Sequence, residues 1–161
     1  MRSKAYPVAL GGMLAAAAVV LMSIGTIIPV ATYAAPVLCM LVCRLVLKLC
    51  ARRIAWAWYG AVAFLSLLLA PDKEAAAVFL VLGYYPILKP KLDSLKGKWL
   101  WKLLYFNGSI LALYWVLLNL IGMQQILSDF EGMGIAMTAV LLVLGNVTFF
   151  LLDNLLTRKF R

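Results

Sequence analysis

The segment of residues 89–102 constrains the fold more than any other part of the chain. It contains five lysines and one carboxylate, Asp93, and apolar segments precede and follow it. A basic block between two apolar segments of membrane-spanning character stays on the cytoplasmic side of a bilayer, because loops rich in lysine are rarely translocated. The segment is therefore predicted to be a cytoplasmic loop, and the positions of the other loops follow by alternation.

The composition is that of an integral membrane protein. Of the 161 residues, 66% are hydrophobic and 13% are charged, and the mean hydropathy is +1.01. Soluble domains are about half apolar and about a quarter charged. Because a span needs about 20 apolar residues, about six spans use most of the chain. The chain is predicted to be a single all-α, polytopic membrane domain over residues 1–161.

Six transmembrane helices are predicted from the apolar runs and the breaks between them. Their bounds are residues 8–28, 37–51, 54–70, 75–88, 103–121 and 135–156. The fourth is short and carries Gly83 and Pro86 near its end, so it is predicted to be tilted, broken or extended. Residues 26–36 hold two prolines and are predicted to be an irregular outer loop that lines a cavity. Residues 122–134 are predicted to be a second outer connection.

The charges of this layout are asymmetric. Of the 15 basic residues, 14 lie on the inner side and only Lys73 lies outside, and four of the six acids are outside. This distribution predicts that both termini are cytoplasmic. The first apolar run, about 21 residues long, exceeds the h-region of a signal peptide and is predicted to be a span. The predicted location is a bacterial inner membrane.

The net charge of +9 lies beside apolar spans rather than on a soluble face. The predicted partner of these basic residues is therefore the anionic lipid of the inner leaflet, and no nucleic-acid partner is predicted.

The sequence offers little for catalysis. It contains no histidine, which excludes a Ser-His-Asp or Cys-His nucleophile. No catalytic residue, metal or cofactor is predicted, and the protein is predicted not to be an enzyme, although a lipid-modifying activity through tyrosine or arginine stays open. Cys39 and Cys43 are predicted to be apolar packing residues rather than zinc ligands.

Three polar residues within spans are predicted to have structural roles. Asp153 is the only acid within a span, and it is predicted to pair with Lys102 or an arginine rather than relay protons. Asn146 and Thr148 are predicted to form hydrogen bonds between helices.

Two candidate binding sites follow from residue type and spacing. Uncharged polar groups in the outer half, among apolar and aromatic walls, are predicted to line a small-molecule pocket. Small residues at close spacing in the first span let another helix approach, either within the protein's own bundle or from a partner, and both alternatives stay open. The pocket residues are Thr26, Thr32, Tyr33, Asn119, Gln125 and Thr138, and the small residues are Gly11, Gly12, Ala15, Ala16 and Ala18.

The layout resembles the substrate-binding S components of energy-coupling-factor (ECF) vitamin transporters. Those six-span proteins have a small-residue face on their first helix, which the pairs Gly11/Ala15 and Gly12/Ala16 match, and a capping outer loop, which residues 26–33 resemble. The resemblance implies uptake of a vitamin-like small molecule. It also implies docking through helix one on a transmembrane coupling subunit with two cytoplasmic ATPases. No signature for thiamin, riboflavin, biotin or folate is present, so no particular ligand is implied.

The chain is also similar in length and number of spans to a family of rod-shape-determining membrane proteins. That alternative implies a non-transporting scaffold or assembly protein without a pocket. The small-residue stripe and the basic inner loops would then contact assembly partners.

Overall fold

The computed structural model describes residues 5–24, 31–122 and 125–157, and within these ranges the chain is helical and has no strand. The all-α class is thereby confirmed for this part of the chain. The helices are α1 (Ala5–Ile24), α2 (Ala31–Leu49), α3 (Arg52–Leu69), α4 (Lys73–Leu82), α5 (Tyr85–Asp93), α6 (Lys98–Val116) and α7 (Gln125–Thr157), with a π-helical turn at Leu117–Ile121.

The helices fall into two compact units, Met1–Leu95 and Lys96–Arg161. In the first unit α1 packs against α2 and α3, and α2 also packs against α4 and α5. In the second unit α6 contacts α7. The assignment of residues 1–161 to a single domain stays a prediction.

The core of the first unit is built from small residues at helical spacing. On α3 the buried side chains are Ala55, Trp58, Val62, Ala63 and Ser66, which recur at three- and four-residue intervals and so form one face. Cys39 and Cys43 on α2 are fully buried in the same core, as predicted. Alanine and cysteine let the helices approach closely, which is how helices associate in lipid.

The predicted fourth span is an interrupted segment. Asp72 caps α4, because its Oδ1 accepts a hydrogen bond from the Ala75 amide at 3.0 Å. The Gly83 amide bonds to the Phe79 carbonyl at 2.7 Å and closes α4, and α5 begins at Tyr85 with Pro86 in its first turn. Proline is tolerated there because amides of the first turn lack helical partners.

The basic segment is mostly helical, which corrects its assignment as a loop over residues 89–102. Lys89 and Lys91 belong to the end of α5, and Lys98 and Lys102 belong to the start of α6. The connection between the two helices is limited to residues 94–97. Gly97 adopts the left-handed conformation with φ 78° immediately before α6, which glycine does without steric cost.

The predicted outer loop at residues 26–36 is wrong in its second half. Helix α2 begins at Ala31, and Pro36 lies inside it with its ring buried. A proline in the second turn forgoes one backbone hydrogen bond, to the carbonyl four residues earlier, and the helix continues. Residues 25–30, with Thr26 and Pro29, lie outside the described part of the chain.

The predicted connection at residues 122–134 is also wrong for most of its length. Helix α7 begins at Gln125 and extends over 33 residues. Such a helix is about 50 Å long, whereas the hydrocarbon core of a bilayer is about 30 Å thick. Gly132 and Gly134 lie within it, and a glycine in a helix interior costs only about 1 kcal/mol.

Four segments of the described chain are long and apolar enough to cross a membrane. They are Tyr6–Ser23, Lys73–Asp93, Lys98–Asn119 and Met137–Thr157. Helices α2 and α3 are not among them, and α3 begins with Arg52 and Arg53. The described residues thus show an all-helical protein with several helices suited to a membrane.

Candidate functional sites

Helices α6 and α7 are joined by a buried ion pair. The Nζ atom of Lys102 lies 2.8 Å from Oδ2 of Asp153, and each side chain is only 5% exposed. The Lys102 Nζ atom also lies 6.0 Å from the centre of the Trp99 ring. The predicted pairing of Asp153 with Lys102 is confirmed. Two opposite charges so close form a neutral unit, which holds the first turn of α6 against the last turns of α7.

A second polar contact joins the same two helices. The Nδ2 atom of Asn107 donates a hydrogen bond to Oδ1 of Asn146 at 3.2 Å, and Nδ2 of Asn146 donates to Oδ1 of Asn107 at 3.4 Å. Between the ion pair and this amide pair, Phe106 and Phe149 stack with ring centroids 4.7 Å apart. The predicted interhelical role of Asn146 is confirmed. Thr148 instead donates to the Leu144 carbonyl of its own helix at 2.9 Å.

The six residues of the predicted pocket are described only in part. Asn119 is exposed in the π-helical turn and donates to the Trp115 carbonyl at 3.0 Å. Thr138 is half-buried on α7. Thr32 and Tyr33 lie in the first turn of α2, and Gln125 is the first residue of α7, but their side chains lie outside the described part. Thr26 lies outside it altogether, so the pocket stays a prediction.

The small residues of α1 separate into two faces. Gly11 and Ala18 are buried, and a Cβ atom on Gly11 would lie 3.5 Å from Cγ2 of Ile54 on α3. Ala15 is half-buried. This face packs inside the first unit, where the Cys39 thiol also donates to the Ala18 carbonyl at 3.5 Å.

The other face of α1 is open. Gly12 and Ala16 are exposed, and no atom lies within 4 Å of the position that a Cβ on Gly12 would take. The neighbouring Met13 is 72% exposed. Of the two alternatives that the sequence left open, packing within the bundle thus describes Gly11 and Ala18, whereas Gly12 and Ala16 are available to a partner.

An aromatic cluster in the first unit escaped sequence reasoning. Trp56 stacks on Tyr84 with ring centroids 6.3 Å apart and planes at 23°, and Tyr59 meets Trp56 edge to face at 6.0 Å. The Tyr59 hydroxyl donates to the Leu80 carbonyl of α4. The spacing of Trp56 and Tyr59 placed both on one side of α3, but their partners on α4 and beyond come from tertiary packing.

Comparison with protein-family models, with curated proteins and with solved structures finds no match to this chain. The resemblance to ECF S components therefore rests on the layout and on the residues of α1 named above.

Proposed function

We propose that the protein is a six-span component of a membrane complex, with both termini in the cytoplasm, that docks on a partner through the Gly12 and Ala16 face of α1. The observation that supports docking is the division of α1, whose Gly11 and Ala18 face is used internally while the Gly12 and Ala16 face stays exposed. Close backbone approach over small residues drives helix association in lipid, where burial of apolar area contributes little.

We propose further that the partner is the coupling subunit of an ECF-type transporter and that the protein binds a vitamin-like small molecule for uptake. The six-span layout and the small-residue face on the first helix support this assignment. The protein itself then performs no catalysis, and the ATPases of the complex supply the energy. In the alternative proposal the same face contacts a scaffold partner of the kind used by rod-shape-determining proteins, and no small molecule is bound.

The docking face can be tested with two matched substitutions. Ala16→Trp places a large ring on the exposed small-residue face, whereas Ala17→Trp adds the same ring one position on, at another exposed site. We expect A16W to abolish co-purification of a membrane partner from cross-linked cells and A17W to retain it. Equal recovery of the partner with both variants would contradict docking through this face. Ala15 is less suitable for the substitution because it is half-buried against the bundle.

Mass spectrometry of the purified protein separates the two proposals. An S component is expected to carry a small molecule of vitamin size, and A16W is expected to keep that molecule while uptake into cells is lost. A scaffold is expected to carry none and to retain a stable protein partner. A bound small molecule whose uptake survives A16W would leave transport without its docking surface.

A further inference from the structure

The basic side chains of the first unit gather at one end of its bundle. Helix α2 ends at Leu49 and α3 begins at Arg52, so the last turns of α2 and the first turn of α3 are neighbours. The Nη2 atom of Arg52 donates to the Ile87 carbonyl of α5 at 3.3 Å, which brings the end of α5 to the same place. We call this region the basic end, and its basic residues are Arg44, Lys48, Arg52, Arg53, Lys89 and Lys91.

The basic end has little negative charge of its own. In the described part of the first unit, Asp93 is the only acid near it, and its Oδ2 lies 3.5 Å from Nζ of Lys89. Asp72 and Glu74 lie at the opposite end, where α4 begins. Arg52 and Arg53 are both exposed, and each guanidinium carries five N–H donors in a planar fork that suits a phosphate.

An exposed row of side chains continues from Arg52 along α3. Trp56 follows at the next turn and is 41% exposed, Phe64 is 63% exposed and Leu68 is 61% exposed. Residues at four-residue spacing share a helix face, so the row presents a cation, then an aromatic ring, then apolar side chains. This order matches the headgroup, the interface and the hydrocarbon of a lipid monolayer.

The row also has room for an acyl chain. Gly60 lies between Trp56 and Phe64 in the row, and no atom lies within 4 Å of the position that a Cβ on Gly60 would occupy. The distance from Trp56 to Leu68 along α3 is about 18 Å. One hydrocarbon leaflet is about 15 Å thick, so the apolar part of the row spans one leaflet.

From these features we infer that the basic end and the Trp56–Leu68 row of α3 form a binding site for one anionic phospholipid of the phosphatidylglycerol type. Arg52 and Arg53 bind the phosphate, Trp56 lies against the glycerol region, and an acyl chain occupies the notch at Gly60. The inference rests on the proposed membrane location but not on docking through α1, which involves a different helix. The charge selects an anionic lipid over a zwitterionic one, and the apolar row selects a lipid over a free phosphate.

The test uses the full-length protein in detergent and native mass spectrometry. Phosphatidylglycerol and phosphatidylcholine with identical acyl chains are titrated separately onto the wild-type protein and its variants. We expect phosphatidylglycerol to bind more tightly. The double substitution R52Q/R53Q should weaken its binding about 30-fold, as expected for the loss of two basic residues at a lipid headgroup. R52K/R53K should retain most of the binding, and G60L should weaken it several-fold by filling the notch.

The control K96Q/K98Q removes the same charge from two exposed lysines near α6. It should leave binding unchanged if the site is local. Equal losses in the two glutamine variants would show diffuse attraction and overturn the site. Equal affinity of the wild type for the two lipids would overturn it as well, as would displacement of the lipid by soluble glycerol phosphate at matching concentration.

A folding defect in R52Q/R53Q would be visible as loss of a monodisperse peak in size-exclusion chromatography. In that event R53Q alone is used, because it leaves the hydrogen bond from Arg52 to Ile87 intact. It should weaken phosphatidylglycerol binding about 5-fold. Unchanged binding by a folded R53Q protein would then contradict the inference.

Discussion

Lys102 and Asp153 are 51 residues apart in the sequence and form an ion pair of 2.8 Å with both side chains buried. Breaking a buried pair by removing one partner leaves the other charge uncompensated, which costs about 3–5 kcal/mol. We expect K102M and D153L each to lower the free energy of unfolding by about that amount. The double variant K102M/D153L should recover most of the loss, because it replaces the pair with apolar groups. Unfolding by a denaturing detergent measures all three.

The exposed Lys98 on the same helix provides the matched control. K98M should leave the unfolding free energy within about 0.5 kcal/mol of the wild type. If K102M and K98M behave alike, the pair contributes nothing to stability, and the contact between α6 and α7 must depend on other residues.

Gly83 is the glycine with the least space in the described chain. A Cβ atom there would collide with the Phe79 carbonyl oxygen and would lie 2.7 Å from a carbon of the Phe79 ring. The substitution Gly83→Ala therefore forces α4 or the ring to shift, and it should destabilise the protein by about 1–3 kcal/mol. Gly108 on α6 has no atom within 4 Å of such a Cβ. Gly108→Ala should be neutral or slightly stabilising, since alanine is the better helix former. Thermal unfolding in detergent compares the two, and equal melting temperatures would contradict the crowding at Gly83.

At the scale of helices, the Asn107 and Asn146 amides offer a direct measure of how α6 and α7 hold together. Interhelical hydrogen bonds in membrane proteins contribute about 0.6 kcal/mol on average and up to about 1.7 kcal/mol. We expect N107A and N146A each to destabilise by about 1 kcal/mol, and the double variant to cost less than the sum of the two. The Asn119 amide donates to a carbonyl one turn earlier on its own segment, so N119A serves as the control. Additive effects of N107A and N146A would show that the two amides are not coupled.

The helical elements could be predicted from hydropathy more reliably than their ends. The runs that became α1, α3 and α6 are apolar and uninterrupted, so their positions followed from the sequence to within a few residues. Pro36 and the polar start of α7 misled the prediction, because a helix can continue through a proline and can extend beyond the apolar segment. Polarity marks where a chain leaves the hydrocarbon, and it does not mark where helical hydrogen bonding stops.

The candidate sites show the same limit. The pairing of Lys102 with Asp153 could be predicted because an intramembrane acid needs a partner and few cations were within reach. The division of α1 could not, because Gly11 and Gly12 are adjacent and identical in type. Only the packing of Ile54 near Gly11 decides which of the two faces the bundle. The aromatic cluster of Trp56 and Tyr84 likewise needs the fold of the whole unit.

Considered as a whole molecule, the protein exposes apolar side chains in both units. Phe64 in the first unit is 63% exposed and Leu111 in the second is 73% exposed, and each is one of many such residues. Soluble monomers rarely expose contiguous apolar patches larger than a few hundred Å². Exposed leucine and phenylalanine along α3, α6 and α7 therefore agree with a lipid environment, in which the buried polar contacts become the selective ones.

The orientation of the chain in the membrane follows from its charges and can be tested at two exposed positions. Pro71 precedes α4, and Lys96 lies between α5 and α6. With C50S as background, Cys39 and Cys43 remain but are fully buried. A membrane-impermeant thiol reagent should label P71C in intact cells and should label K96C only after permeabilisation, because basic segments stay inside. The opposite pattern would place the basic end in the outer leaflet. It would also remove the electrostatic reason for an anionic lipid at Arg52, since the anionic surface potential belongs to the cytoplasmic leaflet.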